Sequence, residues 1–517
     1  MKTFLLLLHV ALPLIGLADA GYITYEDLTG YIPPCGAGFD CGTVLTSPYS
    51  HIGPVPIAAL GLLYYTTLLI LGVLLMLEIE ISHFLPKSLK KIVTTQQLYT
   101  AITAFGLLFS FYLLFVMAVV LQSWCLYCLI SAITSVALFI VSWKFFILTQ
   151  KNKPHVLLKT ISHTVFAFLY RNLLKKVLFL LDPETVHNAF SHQGNSLGRW
   201  RITRTIVHML FAYQSPTTAR VLNGIYFPNP IGLSAGFDYN AEMVKILGPV
   251  GFGFHTVGTV TLLPYKGNPK PRLGRLPNSK ALIVNKGLKS LGAPAIIERL
   301  SGLQFDVPIG ISIGATNKLF DTPNEQILDI ATSFVLFEKS PVTHRYYELN
   351  ISCPNTFGGE PFTTPGRLEQ LLDVIDTLHL SRPLFIKMPI DQSKKETLQL
   401  LAVADEHDVQ GVIFGNLTKD KNNPDITEAD RAVWKKRKGN LSGKPTFKRS
   451  NDLIQLTREN FADRFTIIGC GGIFDQETAQ TKLDAGADLL QMITGMVFGG
   501  PQTIGNINRQ LDTKHIE

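Results

Sequence analysis

Four long apolar runs dominate the first third of the chain and dictate most of what it can fold into. They cover Phe4–Ala18, Ile57–Leu77, Leu98–Gln122 and Leu126–Leu148. A helix needs about 20 apolar residues to cross the hydrocarbon layer, and the last three runs approach or exceed that length. The first is shorter, follows Lys2 and ends in "LADA", so it reads as a cleaved signal peptide or as a short first span. Residues 1–150 are therefore expected to form an α-helical membrane bundle with four transmembrane helices, making the chain a multi-pass protein of the cell membrane.

Lysine and arginine placement orients such a bundle, because basic loops stay on the cytoplasmic side. The stretch Gly21–Gly53 contains neither residue, whereas "FLPKSLKKIV" separates the second and third runs and "WKFFILTQKNKPHVLLK" ends the fourth. Residues 21–53 and the turn near Trp124 are thus expected outside, with everything after about residue 150 in the cytoplasm.

The cysteines give an independent check on that orientation. Cys35 and Cys41 fall in the outer loop, and Cys125 and Cys128 begin the fourth run at its outer end. All four thiols then share the oxidising face. A C-x-x-C at a helix start favours a thiolate and suits thiol–disulfide exchange; a four-cysteine zinc site and inert packing are the competing readings. With the phrase "FDCGTVLTSPYSHIGPVPIAALGLLYY" and Ser47 six residues after Cys41, residues 5–148 resemble the vitamin K epoxide reductase family. The resemblance implies that Cys125 and Cys128 form a redox-active disulfide beside a membrane quinone and that Cys35 and Cys41 carry electrons from a periplasmic or extracellular thioredoxin-like dithiol partner. It also implies that Ser47 is a polar residue near that centre; no metal is expected, because a structural zinc site at an oxidising membrane face is unusual.

Residues 151–215 form a linker whose phrase "VFAFLYRNLLKKVLFLLDPETVHNAF" interleaves Arg171, Lys175 and Lys176 with apolar residues at helical spacing. That pattern suits a helix lying on the lipid bilayer, although a helix facing a protein core has the same spacing. The formal net charge of +8 over 517 residues is dispersed, with no arginine-rich tract, so nucleic acid is not an expected partner.

From residue 216 to 517, short apolar runs alternate with helical stretches. Eight strand candidates stand out: "PIGLSA", "FGFHTVGTV", "VPIGISI", "YYELNIS", "PLFIKM", "GVIFGN", "FTIIGC" and "LLQMITG". Eight strands with intervening helices predict an α/β (β/α)8 TIM barrel, whose site forms at the strand C-termini. A doubly wound sheet is the alternative, weakened because no G-x-G-x-x-G follows the first strand.

The strand ends carry Ala235 and Gly236, Thr259, Asn350 and Cys353, Lys387, Asn416, Gly471 and Gly472, then Thr494 and Gly495. Glycines after strands seven and eight let backbone N–H groups close on a phosphate. Lys387 offers fixed positive charge to a reduced flavin, and the asparagines suit a cyclic amide. Singly, each residue is as well explained by a turn, a cap or a solvated surface; together they mark one rim.

"LLDPETVHNAF", "GLSAGFD", "GTVT", "GNPKPRL", "LNISCPNT", "LSGKP", "IIGCGGI" and "GADLLQMITGMVFGGP" resemble the dihydroorotate dehydrogenase family over residues 170–511. The resemblance implies FMN bound by Ala235, Gly236, Thr259, Asn350, Lys387, Gly443, Gly472 and Thr494. It implies dihydroorotate held by Asn350, Asn355 and Asn416, a base removing its C5 proton, and hydride passing from C6 to the flavin in pyrimidine synthesis. The "LDPE" segment belongs to the membrane-bound, quinone-using class.

Several positions depart from that class. Its base is serine, yet Cys353 stands there; its lysine after "GFD" is Tyr239; the substrate loop reads "VNKGLKSLG", in which Lys286 or Lys289 is the candidate for the missing charge. Ser312 and Leu417 replace an expected asparagine and threonine. These changes leave open another dihydropyrimidine or an enoate as substrate, a non-quinone acceptor, or a non-enzymatic membrane scaffold with a degenerate barrel.

Overall fold

The structure is a computed structural model that describes residues 2–36, 38–77, 79, 81, 94–149 and 163–514. Contacts divide it into two units, Met1–Leu158 and Lys159–Glu517. Of the basic segments used above for orientation, 84–93 and residues 150–159 of the segment 143–159 lie outside the described residues.

The first unit contains α1 (Lys2–Thr29), the one-turn α2 (Cys41–Leu45), a short antiparallel pair of β1 (His51–Ile52) and β2 (Val55–Pro56), α3 (Ile57–Met76), α4 (Thr95–Phe115) and α5 (Leu126–Thr149). Four of these helices are long and apolar enough to cross a membrane. Residues 21–29, expected in the outer loop, instead extend α1. No proline interrupts Tyr22–Thr29, so the helix runs on to Gly30, where φ is +77°. There Tyr31 N–H donates to Glu26 C=O at 2.9 Å, a Schellman stop that favours glycine.

Helix contacts in this unit use small residues and buried hydroxyls, the usual means where apolar surface gives no preference between helix and lipid. Gly72 of α3 lies against the His9 backbone, and an added Cβ there would collide with it. Tyr99 OH donates to His9 C=O at 3.0 Å, Gln96 Nε2 of α4 donates to Ser142 C=O of α5 at 3.2 Å, and Tyr65 OH lies 2.8 Å from Ser131 Oγ.

The second unit begins with helical turns that include α6 (Lys175–Leu180), α7 (Pro183–Arg199) and α8 (Arg201–Phe211). Asp182 caps α7 by accepting from Thr185 N–H at 2.8 Å, and Pro183 supplies the preset φ of a first helical residue. These helices expose Leu173, Leu180, Trp200 and Ile202 to solvent, which gives the segment an apolar outer face of the kind that binds an interface.

A hairpin of β3 (Arg220–Leu222) and β4 (Ile225–Phe227) precedes the first barrel strand, β5 (Ile231–Leu233). Then come β6 (Phe254–Val260), β7 (Leu273–Leu276), β8 (Ala281–Val284), β9 (Ile309–Ile313), β10 (Tyr346–Asn350), β11 (Leu384–Met388), β12 (Gly411–Phe414), β13 (Asn440–Gly443), β14 (Thr466–Cys470) and β15 (Leu489–Met492). The closed parallel barrel runs β5-β6-β9-β10-β11-β12-β14-β15 and returns to β5. All eight strand candidates are barrel strands, so the sheet is a barrel and not an open doubly wound one.

Parallel strands covered by helices bury both faces and read as near-continuous apolar runs. That is why these eight were legible. Inside the barrel, Phe254, Tyr346, Phe385, Ile413 and Ile468 pack together, with Ile225 and Phe227 of the β3–β4 hairpin against them; the Phe227 and Phe254 rings meet edge-on at 5.3 Å. Burial of each such ring contributes about 1.5–3 kcal/mol. Beyond the barrel, β7, β8 and β13 form a separate antiparallel sheet.

Candidate active site

Register along the barrel rim sets the site. Asn350 pairs with Lys387 across β10 and β11, which brings an amide and an ammonium side by side at the C-terminal ends. Lys387 Nζ donates to Ser234 Oγ at 2.7 Å, and Asn350 Nδ2 donates to Thr259 Oγ1 at 2.8 Å. Thr259 Oγ1 lies 2.9 Å from Ser312 Oγ, so the serine that replaces an expected asparagine belongs to the same chain of polar groups.

One cavity of about 480 Å³ collects the strand ends. Ala235, Gly236, Thr259, Lys286, Lys289, Asn350, Cys353, Asn355, Lys387, Asn416, Gly443, Gly471, Gly472, Thr494 and Gly495 all line it. Its other wall is apolar and comes from the α6–α8 segment: Leu178, Phe179, Val186, Phe190 and Leu197. Thus a polar floor built by the barrel faces a greasy mouth built by the linker helices.

Ser352 organises the loop after β10. Its Oγ donates to Lys387 C=O at 2.7 Å and accepts from Asn416 Nδ2 at 2.8 Å. Asn355 Nδ2 donates to Val284 C=O at 3.0 Å, and its Oδ1 accepts from Asn440 Nδ2 at 2.9 Å. Between the two anchored residues sits Cys353; burial pushes its thiol up to about 11. A thiol held protonated there is ready to exchange a proton with a ligand once a partner charge arrives.

Positive charge gathers on the side of the cavity near Tyr239. Lys286 is buried with its Nζ 4.2 Å from the Tyr239 ring centroid, and Lys289 Nζ is 5.3 Å from it. Glu184 of the "LDPE" phrase accepts from Arg272 at 2.8 Å and lies 3.8 Å from Lys289. Burial lowers Lys286 to about 7. His187, whose ring stacks near Tyr239 at 5.7 Å, is brought down to about 2, first by burial and then by the two lysines.

The glycine set fits a phosphate-bearing ring system. Gly443, Gly471 and Gly472 have φ of +93°, +93° and +72°, a region that side-chain-bearing residues rarely adopt, and a Cβ on Gly472 would run into Phe447. Gly236, at φ +102°, faces open space where an added Cβ meets nothing. Residues 218–514 match the family model of dihydroorotate dehydrogenase. The chain belongs to the dihydroorotate dehydrogenase family.

Relatives described as dihydroorotate dehydrogenase (quinone) cover the same region. The Methylococcus capsulatus protein is 36% identical over 66% of this chain and 98% of its own length; that of Chloroflexus aurantiacus is 35% identical over 67% and 97%. The crystal structure of an Eimeria tenella family member in complex with ferulenol superposes with a TM-score of 0.56 at 25% identity, over 64% of this chain and 92% of that one. Residues 7–143 match the vitamin K epoxide reductase family.

In the first unit, Cys35 and Cys41 form a disulfide with Cα atoms 5.9 Å apart, while Cys125 and Cys128 are free thiols. Cys128 N–H donates to Cys125 Sγ at 3.4 Å in the first turn of α5. Cys41 and Cys125 are buried in one cluster with Cys35 and Cys128 packed against it. Asp40 N–H donates to Trp124 C=O at 2.8 Å, and Tyr127 OH to Pro34 C=O at 2.9 Å. Ser47, buried nearby, donates to Val44 C=O at 2.8 Å.

Some residues at the barrel site were not singled out in the sequence. Ser234, Ser352, Ser442, Cys470 and Asn440 lie on the floor or behind it. Ser234 and Ser352 sat in phrases already quoted, and their position next to strand ends was the available signal. Ser442 and Cys470 also sat in quoted phrases, "LSGKP" and "IIGCGGI"; Asn440 gave no signal, because β13 is a short antiparallel strand with a mixed composition.

Proposed function

We propose that the barrel is an FMN-dependent dihydroorotate dehydrogenase that delivers electrons to a membrane quinone, and that the helical unit is a quinone-linked thiol–disulfide oxidoreductase. The observation that carries the first half is the single cavity, with a polar floor at the strand ends and an apolar mouth under α6–α8. Quinones are apolar and dihydroorotate is an anion, so one cavity has a surface suited to each.

Gly443, Gly471, Gly472, Thr494 and Gly495 would hold the FMN phosphate, and Ala235, Gly236, Thr259, Asn350 and Lys387 its ring. When bound, the flavin supplies a two-electron acceptor for the substrate and a donor for the quinone. Asn350, Asn355 and Asn416 then present amides to the pyrimidine ring. Lys286, with Lys289 behind it, receives the carboxylate in place of the lysine that Tyr239 displaces. In its thiolate form, after the thiol has given up its own proton, Cys353 Sγ accepts the C5 proton, with Ser352 and Asn355 fixing its loop.

In the helical unit, the Cys35–Cys41 disulfide accepts electrons from a periplasmic or extracellular dithiol protein. It passes them to Cys125 and Cys128, which reduce the quinone. The two units draw on one quinone pool from opposite faces of the cell membrane, the barrel in the cytoplasm and the cysteine loop outside. Labelling Cys35 and Cys41 in reduced, intact cells with an impermeant maleimide tests the sidedness: labelling supports it, and labelling only after lysis reverses it.

A panel of dihydropyrimidines and enoates, read by anaerobic loss of flavin colour, tests the substrate. Preferential bleaching by dihydroorotate supports the reading, whereas preferential bleaching by another compound assigns the barrel to that substrate.

A further inference from the structure

The first unit carries one acidic side chain in the interior of α1 for which nothing above has a use. Asp19 lies within the apolar span Phe4–Thr29, and its Oδ2 is enclosed without a hydrogen-bond partner. A carboxylate in such a place is costly to bury, and its retention in a span points to a functional role.

Its surroundings say which role. α1 packs against α3 and α5. Gly16, one turn before Asp19, lies against the Tyr65 ring of α3, and Ala20 joins Tyr65 and Leu138 in a buried cluster. Tyr65 OH in turn donates to Ser131 C=O at 3.0 Å, one turn beyond Cys128 on α5. The Asp19 carboxylate interacts electrostatically with Tyr65, Cys125 and Cys128. These are the titratable groups of α3 and of the start of α5 with which it interacts; among the described residues no lysine, arginine or histidine makes an ion pair with it.

We propose that Asp19 is the proton relay of the Cys125–Cys128 pair. The inference rests on the thiol-oxidoreductase reading of this unit. Oxidising the pair forms one S–S bond, breaks two S–H bonds and releases two electrons and two protons. A quinone takes both electrons and both protons to become a quinol. The proton of the first thiol needs an acceptor, which the enclosed Asp19 Oδ2 supplies, and negative charge on Asp19 and on a nearby sulfur oppose each other. Charge therefore resides on one or the other: the carboxylate takes the proton as the sulfur becomes a nucleophile, and yields it to the reduced quinone.

The test uses the full-length protein and its Asp19→Asn and Asp19→Glu variants, with dithiothreitol as donor and a short-chain ubiquinone analogue as acceptor. Asp19→Asn is expected to slow quinone-dependent dithiol oxidation by about tenfold or more at neutral pH and to make the rate climb with pH, while Asp19→Glu restores most of it. In the fully reduced proteins, iodoacetamide should modify Cys125 and Cys128 several-fold faster in Asp19→Asn than in wild type, because an opposing charge is gone. A purely structural role does not move oxidation and alkylation in opposite directions. Unchanged alkylation, or a wild-type rate and pH profile in Asp19→Asn, overturns the proposal. Absence of quinone-dependent oxidation in the wild type overturns the thiol-oxidoreductase reading instead, and alkylation still reports whether Asp19 acts on the pair.

Discussion

The Lys286 ammonium lies 4.2 Å from the centroid of the Tyr239 ring. A cation over an aromatic face is attracted to it, but the ring does not neutralise it, and none of the ion pairs formed by the described residues includes Lys286. The barrel therefore keeps a buried lysine without a counter-ion on the cavity wall, on the side where an anionic substrate is expected. Lys286→Met should raise the KM for dihydroorotate by about tenfold or more, the range for losing a charged hydrogen bond, with flavin content unchanged. An unchanged KM would move the carboxylate elsewhere.

The same lysine fixes a pH signature. Free Lys286 is depressed to about 7 by burial, so above that pH it is largely neutral, and an anion that needs it charged must bring a proton with it. Orotate binding at pH 8 should therefore take up a proton and weaken further as pH rises. Calorimetry in buffers of different ionisation enthalpy measures this directly; proton release on binding has the opposite sign and contradicts it.

Cys353 makes the second pH prediction. Its thiol is pushed up to about 11 by burial, so the thiolate fraction grows about tenfold per unit as pH rises toward that value. The rate of flavin reduction should rise across the alkaline range. Cys353→Ala should lose about 10²–10⁴-fold, the usual contribution of a general base. Cys353→Ser should retain part of the activity with its rise displaced to higher pH. Stopped-flow traces of flavin colour decide the matter, and full activity in the alanine variant returns Cys353 to a packing role.

Gly472 tests the cofactor site alone. With φ at +72° and Phe447 against the position of an added Cβ, Gly472→Ala distorts the turn after β14. The expected result is a folded protein with little bound flavin. A variant that purifies as yellow as wild type would show that this turn does not hold the phosphate.

The two units also predict separable losses. Cys128→Ser should abolish quinone-dependent oxidation of a dithiol while leaving flavin reduction by dihydroorotate at its wild-type rate. Parallel assays on one preparation check this; loss of both activities would mean that the thiol pair supports the barrel.

What the sequence disclosed follows from where the chain is buried. The eight barrel strands stood out because runs such as Ile309–Ile313 and Leu384–Met388 are buried along their whole length. Strand ends then located the cavity-lining residues, since a parallel barrel places them all on one rim. By contrast, β7, β8 and β13 alternate buried and half-buried residues over four positions each, too short a pattern to separate from a loop. The end of α1 was misplaced for a related reason: residues 21–29 lose their hydrophobicity before they lose helical structure, and the stop lies in the backbone of Gly30. Asp19 was passed over because an isolated acid in an apolar run has no pattern, and only the packing of α1 against α3 and α5 sets it beside the thiols.

The central claim, a flavin barrel that oxidises dihydroorotate and passes the electrons to quinone, is tested most directly by anaerobic titration of the purified full-length protein. Dihydroorotate should bleach the flavin, and a ubiquinone analogue added afterwards should restore its colour with one quinone consumed per flavin. A flavin that stays oxidised with dihydroorotate, or that stays bleached when the quinone is added, contradicts it.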